Sequence, residues 1–124
     1  MIADDEYLIR WSLSQALANE GYEVISVADG KKAIEAARAQ RFDFIITDLV
    51  MPESDGWQVL ETIRQSQLQS PPRVIIITAH GEGEVKNAVL EKGAWAYVEK
   101  PYIIERIKDI LKGNYTRLDD FNSH

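Results

Sequence analysis

A chain of 124 residues, 45% hydrophobic and 27% charged, suits one compact domain with a real core and leaves little room for a second. It contains no cysteine, which excludes disulfides and thiolate metal sites, and no apolar run approaches the ~20 residues of a membrane span. A formal net charge of -6 argues against a general nucleic-acid or membrane-surface binder, and the acidic start at Asp4-Asp5-Glu6 is unlike a secretory signal, so a cytoplasmic protein is expected. The acidic excess itself has two readings, plain solubility or a carboxylate cluster that awaits a cation.

Met1–Ala3 is a short apolar run that stops at two aspartates. Glu6–Glu20 predicts a helix, with Ile9, Leu13, Ala16 and Leu17 on one face and Gly21 at its end. Tyr22–Ala28 alternates and is rich in β-branched residues, which predicts a strand, and Asp29-Gly30 is a turn signal. Lys31–Gln40 reads as an alanine-rich helix burying Ala33, Ile34 and Ala37. Phe42–Thr47 reads as a strand that ends on Asp48, and Ser54-Asp55-Gly56 opens a helix over Trp57–Ser66. Arg73–Thr78 carries Val74-Ile75-Ile76-Ile77, apolar on both faces, as a central parallel strand requires. Glu82–Lys92 predicts a helix closed by Gly93, Trp95–Glu99 a strand, and Pro101–Lys112 a last helix followed by Gly113. Such alternation with short loops implies an α/β domain, a parallel sheet covered by helices on both faces, over residues 1–113. Residues 114–124 are polar and aperiodic and read as a C-terminal tail or the start of a linker.

The residues with chemistry to offer share one location. Asp4 and Asp5 follow strand one, Asp48 follows strand three, Thr78 ends strand four and Lys100 follows strand five. Ligands of a doubly wound sheet bind beyond the carboxyl ends of its strands. Chain order thus gathers three carboxylates, a hydroxyl and an ammonium at one mouth. Clustered carboxylates repel one another, and a divalent cation removes the penalty. Oxygen donors without His or Cys favour a hard ion, Mg²⁺ before Ca²⁺. A carboxylate can also attack phosphorus to give an aspartyl phosphate. Taken singly, each residue has a plainer reading: Asp5 or Asp55 as a helix cap, Thr78 as a strand-end hydroxyl, Lys100 as a solvated side chain. Their joint occurrence at consecutive strand ends favours the functional reading. Asp55 stays a cap, because Gly56 already explains the turn.

Asp4-Asp5-Glu6, Thr47-Asp48-Leu49-Val50-Met51-Pro52 with Asp55-Gly56, Thr78-Ala79 and Lys100-Pro101 resemble the receiver domains of two-component response regulators, the CheY-like family. The resemblance covers about residues 1–112. Tyr7–Tyr22, with Ile9-Arg10-Trp11 and Glu20-Gly21-Tyr22, is more weakly similar to receivers of enhancer-binding, NtrC-type activators. The resemblance implies a flavodoxin-like sheet of order 2-1-3-4-5. It implies phosphorylation at Asp48, with Mg²⁺ held by Asp5, Asp48 and the Val50 backbone carbonyl, and by Asp4 through a water. Thr78 and Lys100 would bond the phosphoryl group, and Tyr97 would be an aromatic switch; alone, Tyr97 reads as a half-buried strand-edge ring. The donor would be a histidine kinase or phosphotransfer protein, and the output surface the last two helices and the strand between them, with Lys86, Tyr97 and Lys108. The result would act on an output domain or a downstream protein, with no direct nucleic-acid or membrane contact. Such a chain is a signalling domain with autocatalytic phosphotransfer rather than an enzyme in the usual sense.

Two positions tune the expected lifetime of the phosphoryl group. Val50, two residues after Asp48, offers no polar group to place a water. His80, two after Thr78, either steers a water or phosphodonor or is simply solvated. The expectation is slow self-dephosphorylation. The rival is a pseudo-receiver, a docking module of the same fold that is not phosphorylated. An aspartate-nucleophile phosphohydrolase would want a second acid where Val50 stands, and neither glycine pattern of nucleotide enzymes occurs. Leu8 and Trp11 lie off the core face of the first helix, either as a contact surface or as scattered exposed apolar residues. Receivers usually carry more apolar residues before the acidic pair. Either strand one is short here, or the chain is trimmed or begins at an internal methionine. A short central strand would favour strand exchange and so a homodimer.

Overall fold

Strands and helices alternate through the computed structural model, which describes residues 1–66, 70–79, 83–100 and 103–115. In order they are β1 (Ile2–Ala3), α1 (Tyr7–Asn19), β2 (Ser26–Val27), α2 (Gly30–Ala39), β3 (Phe44–Asp48), α3 (Gly56–Gln65), β4 (Arg73–Thr78), α4 (Gly83–Glu91), β5 (Ala96–Glu99) and α5 (Ile103–Leu111). The five strands form one parallel sheet of order β2-β1-β3-β4-β5, the flavodoxin-like order that was expected.

Side chains that alternate along the strands feed two cores. On one face, Leu13 and Leu17 of α1 and Ile103, Ile107 and Ile110 of α5 pack on Ile2, Ile46, Ile75 and Ile77. On the other, α2, α3 and α4 bring Ala33, Val59, Leu60, Ile63, Val89 and Leu90 onto Ala3, Ile45, Val74 and Ile76. The run Val74–Ile77 is therefore divided residue by residue between the faces, which is why it is apolar throughout. Of the faces expected on the helices, Leu13, Leu17 and Ala33 are buried, while Ile9, Ala16, Ile34 and Ala37 are half-buried at the margins. Gly21 closes α1 with a φ of 94°, a left-handed turn that a side chain would strain.

The first strand is short, as its sequence suggested, and the second is shorter than expected. Tyr22–Ala28 was predicted as a strand, but only Ser26 and Val27 pair, opposite Ile2 and Ala3. A β2 residue needs a β1 residue beside it, and β1 offers only two. Ahead of them lies a cleft of about 590 Å³ lined by Met1, Tyr22, Val24, Ile25, Phe42 and Phe44. The Met1 ammonium sits at its end and donates to the Phe44 carbonyl at 2.9 Å.

Asn114 and Tyr115, at the start of the stretch expected as a tail or linker, are bonded to the domain. Asn114 N–H bonds the Asp109 carbonyl at 3.0 Å, and the Tyr115 hydroxyl donates to the Trp95 carbonyl at 2.7 Å. Tyr115 meets the Trp95 ring edge-on, with Arg73 stacked over Trp95 and Arg106 over Tyr115. Residues 116–124 lie outside the described residues. Tyr7, Leu8 and Trp11 are all more than half exposed on α1. Among the described residues no helix is long and apolar enough to cross a membrane.

Candidate functional site

The carboxyl ends of β1, β3, β4 and β5 meet at one edge of the sheet. Register places them there: Asp48 closes β3, Thr78 closes β4 opposite Glu99, and Asp4 and Lys100 come one residue after β1 and β5. Backbone bonds stitch these ends together. Leu49 N–H bonds the Ile77 carbonyl at 3.1 Å, and Lys100 N–H bonds the Thr78 carbonyl at 2.9 Å. Asp4 N–H reaches the Val27 carbonyl at 3.2 Å.

Asp48 is buried and both of its oxygens are held. Oδ1 accepts from the Val50 amide at 3.2 Å, and Oδ2 accepts from Lys100 Nζ at 2.8 Å. The loop that follows is tightly drawn. Gly56 N–H donates to the Leu49 carbonyl, and a Cβ on Gly56 would stand 2.6 Å from the Asp48 carbonyl oxygen. Glycine is thus required beside Asp48 for space. Asp55 caps α3 by accepting from the Gln58 amide at 3.1 Å, as expected. Glu53 and Ser54 take left-handed φ values of 54° and 88°, local strain of a kind that gathers at functional loops.

Lys100 is the hub. Besides Asp48, Nζ donates to Glu6 Oε1 at 2.9 Å and lies 3.1 Å from Asp4 Oδ2. Burial disfavours its charge, but the hydrogen bonds it donates to Asp48 and Glu6 and the Asp4 charge outweigh burial, and the ammonium is held above its ordinary value. Asp4 is fully buried. Burial pushes its carboxyl up, and the Glu6 amide and Lys100 offset this only in part. Its Oδ1 accepts from Glu6 N–H at 2.8 Å. Its Oδ2 receives no aligned hydrogen bond, so the Lys100 contact is a charge contact only. Arg10 Nη1 donates to the Asp4 carbonyl at 2.8 Å and pins the turn from below.

The carboxylates grouped here are Asp4, Glu6 and Asp48, with one oxygen of each within 4.8 Å of the others. Asp5 lies outside that group and is exposed. Val50 is exposed with its backbone at the Asp48 carboxylate. Thr78 is buried at the adjacent strand end, and Tyr97 is buried against the core on the α2–α4 face. His80 lies outside the described residues. Glu6 was missed as a participant. Its signal was available: it takes the N-cap position of α1, where glutamate is a poor cap, and its side chain makes no capping bond. A groove of about 500 Å³ between α1 and α5 opens onto this pair, lined by Glu6, Leu8, Ser12, Ala79, Lys100 and Ile103. The larger cleft at Met1 lies among the other ends of the strands, away from this chemistry.

Residues 1–112 match the response regulator receiver domain family. This chain belongs to that family. It is 34% identical over 112 residues to sporulation initiation phosphotransferase F of Bacillus subtilis, covering 90% of this receiver and 89% of that protein. It is also 34% identical over 104 residues to the DNA-binding transcriptional regulator NtrC of Escherichia coli, covering 84% of this receiver but only 22% of that protein. Among solved structures it superposes on the chemotaxis response regulator CheY4 of Vibrio cholerae with a TM-score of 0.81, 32% identity, and coverage of 92% and 95% of the two chains.

Proposed function

We propose that this receiver is a phospho-accepting switch in which Asp48 takes a phosphoryl group from a histidine kinase or phosphotransfer protein in a Mg²⁺-dependent reaction. The observation that carries this reading is the Asp48 carboxylate, buried, held at both oxygens, and bonded to Lys100 at 2.8 Å beside a second buried aspartate. Fixed oxygens make a positioned nucleophile. The Asp48 oxygen bonds to phosphorus as the bond from phosphorus to the donor breaks, and Lys100 and Thr78 meet the charge on the phosphoryl oxygens.

The donor set suits a hard dication. It is made of oxygens alone, and the buried Asp4 has an oxygen without an aligned hydrogen bond, a cost that a cation would remove. Asp5, Asp48 and the Val50 carbonyl would hold it, with Asp4 acting through a water; Asp5 is exposed at the mouth and would turn inward. When bound, Mg²⁺ supplies positive charge against both the carboxylates and the phosphoryl oxygens. The exposed apolar Val50 places no water for hydrolysis, which supports a slow return to the resting state. Movement of Thr78 and Lys100 toward the phosphoryl group would draw on β5 and bias the α4–β5–α5 surface, with Tyr97 as its aromatic follower. We assign a cytoplasmic setting to the same reading, with an output domain or a separate protein as its target.

The test is covalent labelling. With Mg²⁺ and acetyl phosphate, one phosphoryl group is incorporated, detected by intact mass; none is incorporated by Asp48→Asn or when the metal is chelated. A chain that stays unlabelled and binds no beryllofluoride is a docking module of the same fold.

A further inference from the structure

Lys100 is engaged by more carboxylates than its role toward Asp48 requires. An ammonium has three N–H donors. Here Nζ donates to Asp48 Oδ2 at 2.8 Å and to Glu6 Oε1 at 2.9 Å, and stands in charge contact with Asp4 Oδ2 at 3.1 Å. A phosphoryl oxygen arriving on Asp48 competes with these carboxylates for the ammonium.

The three contacts differ in what their release leaves behind. Leaving Asp4 would strand a carboxylate that is 0% exposed, a costly step. Leaving Asp48 would take the ammonium from the very group that carries the phosphoryl. The Glu6 side chain is 58% exposed, so water takes the vacated place, and pairs with an exposed partner are weak. Glu6 is also held where it can serve. Its amide is tied to Asp4 Oδ1, Arg10 pins the same turn, and its side chain, unused as a helix cap, crosses to Lys100 at the lip of the α1–α5 groove.

We propose that Glu6 is a positioning residue that competes with the incoming anion for Lys100. It holds the ammonium across the mouth of the resting site and yields it when an anion arrives at Asp48. The proposal rests on the reading of Asp48 as the phospho-acceptor.

The experiment titrates wild type, Glu6→Gln and Glu6→Asp with beryllofluoride at saturating Mg²⁺, following Trp57 fluorescence, with thermal unfolding recorded for each. Titrations are run in dilute buffer and in about 1 M NaCl, where the screening length falls to about 3 Å. Both variants are expected to bind the anion about two- to fivefold more tightly, the size of one lost exposed pair. Part of the gain persists in salt in both variants, because the released contact, at 2.9 Å, is no longer than the screening length. Glu6→Asp keeps the charge and loses the reach, so a purely electrostatic role predicts no gain for it. Unchanged or weaker binding in both variants overturns the proposal, as does a gain confined to Glu6→Gln in dilute buffer. A wild type that binds no anion overturns the reading of Asp48, and this proposal with it.

Discussion

On one side of β3, the ladder to β4 pairs Phe44 through Asp48 with Arg73 through Ile77; on the other, the ladder to β1 pairs Ile46 and Thr47 with Ile2 and Ala3. Beyond β4, four residues of β5 continue the sheet, whereas beyond β1 only Ser26 and Val27 do. The halves of the site inherit this difference. Asp48, Thr78 and Lys100 hang from the long ladders, while Asp4 and Glu6 hang from the short one. The contacts of Lys100 with Asp4 and Glu6 tie the two halves together at the mouth. Asp48 and Lys100 can thus stay fixed while the acidic turn opposite them opens at lower cost.

The largest effect expected from breaking the comparison is on the strong side. Ile76 is 0% exposed, and Ile76→Ala should destabilise the domain by about 2–5 kcal/mol in urea unfolding. A cost below about 1 kcal/mol would deny β4 its role as the keel. The pH profile probes the weak side. Burial lowers the Met1 ammonium from 8.0 to about 6, against a smaller opposing pull from Asp43. Between those values the unfolded chain holds a proton that the folded chain has shed, so stability rises from pH 6 to pH 8 and levels off above. The rise should reach at most about 2–3 kcal/mol, and N-terminal acetylation should flatten it. The smallest effect is expected at the edge. Val27 is half-buried in a two-residue strand, and Val27→Ala should cost below about 1 kcal/mol by the same unfolding assay.

Much of this was legible in the sequence for a physical reason. Val74–Ile77 announces a strand buried on both faces, and the strand ends then fix where Asp4, Asp48, Thr78 and Lys100 must meet. Pairing length was not legible, because the β-branched residues of Tyr22–Ala28 report a preference for extended backbone and not the presence of a neighbour to pair with. The poor cap at Glu6 hinted at a role but not at its partner, which lies 94 residues away, and a helix-start glutamate reads locally as a charge near the helix N-terminus. Tyr115 was hidden for the opposite reason. It sits in a polar, aperiodic stretch, and only the fold brings Trp95, Arg73 and Arg106 around it.

That aromatic stack has a mechanical meaning. β5 lies between Trp95 at its foot and Lys100 at its head, a span of roughly 17 Å at the usual rise per residue. Tyr115 is moored to the foot, at the pole of the domain opposite the carboxylates. A pull on Lys100 is therefore a pull on one end of a short rod whose other end is the mooring.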